Sequence, residues 1–142
     1  MNDAAFSEFL SDISVCFTEN DFELWHSRIL LPFSMVTPRG PVVMSNADQL
    51  YRNFKNYIQA CEILGIDRID RQAIALTKGL NGTFIGTYST SLMNSGAIAT
   101  DPFVSSALLH EADGGWKMSS ILNARGHDEW TGKSPRPTAD NE

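Results

Sequence analysis

The chain has little cysteine, little positive charge and no long apolar run. Its two cysteines, Cys16 and Cys61, lie far apart in 142 residues without Cys-x-x-Cys spacing, so there is no disulfide framework to read. Each falls on the apolar stripe of a predicted helix, where a thiol acts as a small hydrophobe. Buried reduced thiols are expected, with a disulfide or a reactive thiol as the alternative. Lys and Arg number 11 against 17 Asp and Glu, a net charge of -6, and no basic cluster stands out. No nucleic-acid partner is therefore expected. No stretch approaches the roughly 20 apolar residues that span a bilayer, so no membrane partner is expected either. The opening MNDAAF lacks the basic and apolar regions of a signal peptide, and a cytoplasmic location is the expectation.

Motifs are scarce as well. GLNGTFIG, starting at Gly79, bears glycines but joins two predicted strands. A phosphate-cradling loop must open a helix instead, so a dinucleotide site is not expected. No nucleophile-elbow pattern occurs. His127, Asp128 and Glu129 are consecutive in a polar stretch and the other histidines are remote, so neither a metal nor another cofactor is expected.

What is present is a globular composition, 42% hydrophobic and 20% charged, at the size of one domain. Asn2 or Asp3 can cap a helix in which Phe6, Phe9, Leu10, Ile13, Cys16 and Phe17 recur at threes and fours. Asn20 or Asp21 can cap a second, short helix with Phe22, Trp25 and Ile29 on one side, which Pro32 is expected to end. Two short strands follow around Pro38-Arg39-Gly40-Pro41. The third helix is the clearest element. Asn46 and Gln49 have capping-box spacing, Ala47, Leu50, Tyr51, Phe54, Tyr57, Ile58, Cys61 and Leu64 form its stripe, and Gly65 supplies the stop.

Beyond it the period falls to two. Strands are predicted over 69–78 and 83–93. A long strand, interrupted early by Asp101-Pro102 where an edge or bulge is expected, then reaches Ala112, and 116–125 completes the sheet. Residues 1–126 make the domain, and 127–142 a polar C-terminal tail whose Trp130 can dock on a neighbouring surface. In HEADGGWKMSS, from His110, Asp113-Gly114-Gly115 are the residue types of a tight hairpin turn. Strand neighbours point to opposite faces, so His110 and Glu111 do not address one ligand. Regular alternation puts Trp116, Met118, Ser120 and Leu122 on one face, and Lys117, Ser119, Ile121 and Asn123 on the other.

Two helices, a strand pair, a long helix and consecutive strands ending in Asp-Gly-Gly-Trp-Lys-Met together resemble the NTF2-like superfamily, with its SnoaL-like and ketosteroid-isomerase-like groups. The resemblance covers about residues 4–126. It implies an α+β cone: a strongly curved, mostly antiparallel sheet wrapped around a long helix, with two shorter N-terminal helices. It also implies a largely apolar pocket at the open end and a homodimer through the sheet. The expected ligand is small, either apolar or carrying a carbonyl or carboxylate.

The isomerase-like members use a strand aspartate as base. PFSMVTPRGPVVM holds no acid at all and FVSSALLHE no interior aspartate, so that activity is not expected. The leading expectation is a ligand pocket without a complete catalytic set, bound through Tyr51, Tyr57, Asn123 and Arg125. The first alternative is a dehydratase- or cyclase-like lyase or isomerase with His110 as general acid/base and Tyr88 as donor; His26 is a further candidate. It requires His110 and a tyrosine hydroxyl to reach one cavity. The second alternative is a non-catalytic interaction or dimerisation module with a filled interior.

Overall fold

The computed structural model describes residues 1–131; residues 132–142 of the expected tail lie outside them. Helix α1 (Asp3–Thr18) is capped by the Asn2 side chain on the Ala5 amide and buries Phe6, Phe9, Leu10, Ile13, Cys16 and Phe17. That is the stripe its spacing predicts. Helix α2 (Phe22–Ser27) is capped by Asp21. It ends before Pro32, because Ile29 already opens strand β1 (Ile29–Thr37) and Pro32 lies inside that strand. Pairing along β1 is irregular between Ile29 and Ser34, the stretch where Pro32 has no N–H for a ladder.

Strand β2 (Gly40–Met44) leads to helix α3 (Ala47–Leu64). Asn46 accepts from the Gln49 amide, while the Gln49 side chain reaches one residue further back than a capping box requires and accepts from the Ser45 amide. At the far end Gly65 takes φ 64, and the Gly65 and Ile66 amides bond the Glu62 and Cys61 carbonyls. That double closure needs a left-handed residue, which glycine supplies without a Cβ clash. Tyr51 departs from the expected stripe: it is exposed, whereas Leu50, Phe54, Tyr57, Ile58, Ala60 and Cys61 are buried.

The remaining elements are β3 (Arg68–Lys78), β4 (Phe84–Asn94), β5 (Ala97–Ile98), β6 (Phe103–Ala112), β7 (Gly115–Leu122) and the short helix α4 (His127–Trp130). Asp101-Pro102 lies between β5 and β6, where the long strand is expected to be interrupted. The sheet runs β2-β1-β7-β6-β4-β3 with β5 beside β4, and only β1 and β7 pair in parallel. Ile74 is an extra residue in β3 and Ser119 an extra residue in β7. Bulges of this kind bend a strand and raise its twist. The one at Ser119 also shifts the alternation by one, so Met118 and Ile121 are both buried, contrary to the regular pattern. The last strand stops at Leu122 because Asn123 takes φ 56.

Helix α1 lies on the concave face of the curved sheet. A Cβ built on Gly86 would overlap the Phe6 ring and sit 3.2 Å from the Leu109 Cδ1, so space, not turn geometry, demands glycine there. The architecture is the α+β cone. No helix among the described residues is long and apolar enough to cross a membrane.

Candidate functional site

Rings from all four helices meet at one end of the core, most of them edge-on. Phe17 and Trp25 have centroids 4.9 Å apart, Tyr57 and Trp130 4.8 Å, and Phe54 packs 5.0 Å from Phe17. Opposite them, the inward positions Met35, Arg71, Tyr88, Thr90, Ser105 and Ile121 leave a cavity of about 40 Å³, room for roughly three water molecules. Phe103, Arg125 and Trp130 form its mouth. The same three side chains border an outer hollow of about 290 Å³ with Thr100, Asp101 and Glu129.

The cavity wall is polar in one respect. Nε and Nη1 of Arg71, Oγ1 of Thr90 and the indole nitrogens of Trp25 and Trp130 are buried with no hydrogen-bond partner. All four residues line this cavity. Among the described residues no carboxylate pairs with Arg71; Asp12, for comparison, takes Arg28 at 2.9 Å. Tyr88 is buried and its hydroxyl bonds Ser105, whose own hydroxyl donates to the Asn123 carbonyl at 3.0 Å. Burial pushes the Tyr88 phenol up, while the Arg71 guanidinium pulls it the other way.

The expected site residues do not all converge. Tyr57 and Tyr88 line the cavity and Arg125 stands at its mouth. Arg125 is engaged there, donating to Asn123 Oδ1 at 3.0 Å and lying 5.3 Å from the Phe103 ring centre. Asn123 is outside the cavity and spends its amide on the Val104 carbonyl. Tyr51 is on the outer side of α3 against Phe22, with the Lys55 ammonium 5.5 Å from its ring. His110 is on the other face of the sheet: Ser105, Ala107 and Leu109 of β6 point inward, and His110 instead sits 2.7 Å from the Ser119 hydroxyl. His26 stacks on Phe22 on the second helix. The structure therefore does not bring His110 together with a cavity tyrosine. Both cysteines are free and buried, and burial raises Cys16 to about 12 and Cys61 to about 11.

Arg71, Thr90, Trp25 and Trp130 are the wall residues that the candidates from sequence omit. For Arg71 a signal existed: in RIDRQAIAL it is in phase with Ile69, which is buried. An arginine on the apolar phase of a strand points inward.

Tyr57 also holds the mouth together, since its hydroxyl donates to the Arg125 carbonyl at 2.6 Å. Burial raises its phenol, and Asp128 and Glu129 add to that. Tyr57→Phe is expected to lower the unfolding free energy by about 1–2 kcal/mol, because the carbonyl loses its donor. Urea titration checks this; an unmoved midpoint means that the bond contributes nothing.

No protein-family model and no curated protein matches the sequence. Solved structures do share the fold. A proposed dehydratase of the NTF2-like family from Streptomyces avermitilis is 17% identical, matching 84% of this chain and 91% of that one with a TM-score of 0.60. An NTF2-like protein of unknown function from Shewanella oneidensis is 9% identical over 86% and 98%, with a TM-score of 0.59. A cystatin-like domain of unknown function from Nostoc punctiforme is 12% identical over 88% and 79%, with a TM-score of 0.62. The chain has the NTF2-like fold.

Proposed function

We propose that the chain is a small-molecule-binding domain whose ligand occupies the cavity behind Phe103, Arg125 and Trp130. One observation carries this reading: buried polar atoms without partners converge on a single aromatic-walled cavity. Buried polar atoms around a space call for a partner inside it, water or a ligand, and an aromatic-walled cleft with a few polar groups is the usual form of a ligand site.

A catalytic role has less support. His110 and Tyr88 occupy opposite faces of the sheet, and no His, Asp or Glu of the described residues lines the cavity. A neighbour with the same fold that is proposed to be a dehydratase supplies no base here, since fold does not carry activity. The homodimer belongs to the same proposal. Ile85, Val104 and Leu122 are 42%, 45% and 55% exposed on the adjacent strands β4, β6 and β7, an outward apolar patch suited to a second copy.

Native mass spectrometry set against the denatured mass tests both parts. The expected result is a dimer carrying extra mass that denaturation releases. A mass equal to polypeptide alone, with tryptophan emission unmoved by any added acid, amide or alcohol, would remove the reading.

A further inference from the structure

We infer that the ligand of this cavity carries a carboxylate and that Arg71 receives it; the inference rests on the pocket reading above. The unpartnered atoms have a common chemical sense. Arg71 Nε and Nη1 and the two indole nitrogens can only donate, and the Thr90 hydroxyl can do so. The group that satisfies them must therefore offer acceptors, and of these atoms only the Thr90 hydroxyl could take a hydrogen bond from it. Two buried guanidinium nitrogens without a counter-ion add the demand for negative charge.

Geometry agrees with the chemistry. Arg71 pairs with Thr90 across the β3–β4 ladder, so the guanidinium and the hydroxyl leave neighbouring strands on the same face. Arg71 also borders an open hollow between α1 and β3, but its unpartnered Nε and Nη1 are shielded from solvent. Arg125 is less suited to the role because Asn123 and Phe103 already occupy it.

Size decides which part of the ligand sits inside. The cavity of about 40 Å³, roughly three waters by volume, matches the three heavy atoms of a carboxylate group and little more. The rest of the molecule would pass between Phe103 and Trp130 into the outer hollow. An aliphatic or aromatic monocarboxylate has that shape: a charged head and an apolar body that can lie against rings.

The test uses the full chain and straight-chain carboxylates from acetate to octanoate, each beside its primary amide, titrated at constant ionic strength and followed by tryptophan emission and calorimetry. The expected result is that at least one acid binds about tenfold or more tighter than its amide, the order of one charge-assisted bidentate contact. Arg71→Gln should bring that ratio to within about twofold, and Arg71→Lys, which keeps the charge but not the fork, should retain part of it. If Arg71→Gln does not fold, the wild-type ratio and Arg71→Lys decide. Equal binding of acid and amide overturns the carboxylate and leaves the pocket reading standing. A ratio that survives Arg71→Gln overturns Arg71 as the receptor. No binding of any pair, together with a clean native mass, overturns both.

Discussion

Gly86→Val is expected to lower the unfolding free energy by about 3 kcal/mol, the upper end of what overpacking a core costs. The position has no slack. Its Cβ direction is filled by the ring of Phe6, which is 1% exposed and edge-on to Tyr88 at 6.5 Å, and Leu109 closes the other side. The backbone cannot retreat, because Gly86 is paired to Leu76 on one side and Ala107 on the other. Relief has to come from α1, which would lift off the sheet. Phe6→Leu, itself destabilising through the lost ring, should therefore lessen the cost of Gly86→Val when the two are combined. A denaturant-derived double-mutant cycle measures that coupling. Strict additivity would show that the ring is not what the added methyls meet.

Trp130→Ala is expected to cost about 3 kcal/mol or more, as other buried tryptophan truncations do. Trp130 is 5% exposed and closes the ring cluster, 4.8 Å from Tyr57 and 6.3 Å from Phe17. Because its indole nitrogen has no partner, the loss is one of packing and not of hydrogen bonding. The helix bearing it is short, and its first turn is fixed by the Glu129 carboxylate on the Gly126 amide at 2.8 Å. That capping contact should survive the substitution. Trp130 also forms the mouth of the cavity, so the alanine variant should release any native adduct faster, and Trp130→Phe should restore most of both properties. A Trp130→Ala midpoint within error of wild type would mean that α4 does not belong to the core.

Helix faces were legible from sequence because a 3.6-residue period needs only local spacing, and α1 and α3 buried almost the side chains that this spacing selects. Tyr51 was misplaced because one helical turn offers about 100° per residue, and an aromatic at the stripe's edge can fall either way. Strand faces were harder. His110 and Tyr88 are tied by no local signal, and their opposite orientation follows from pairing registers that only the assembled sheet sets. The bulge at Ser119 is a case of the same kind: nothing in WKMSSIL marks one serine as extra. Tyr57, Tyr88 and Arg125 are legible because a hydroxyl or guanidinium beside apolar neighbours needs a polar partner wherever it is buried. Arg71 is in phase with Ile69, but composition argues the other way, because a charged residue on a strand ordinarily faces solvent. Trp25 and Trp130 come from opposite ends of the chain, and no window spans both.

The single parallel pairing of the sheet joins Ile29 to Met118, and the cavity straddles that seam. Trp25 and Met35 come from the early side, Ile121, Ala124 and Trp130 from the late side. Closing a loop of that length carries a large entropy cost that local contacts cannot offset in advance. The binding chamber is thus a product of completed topology. Its wall is drawn from both halves of the polypeptide, so neither half closes it alone, and during synthesis it cannot be complete until β7 and α4 have emerged.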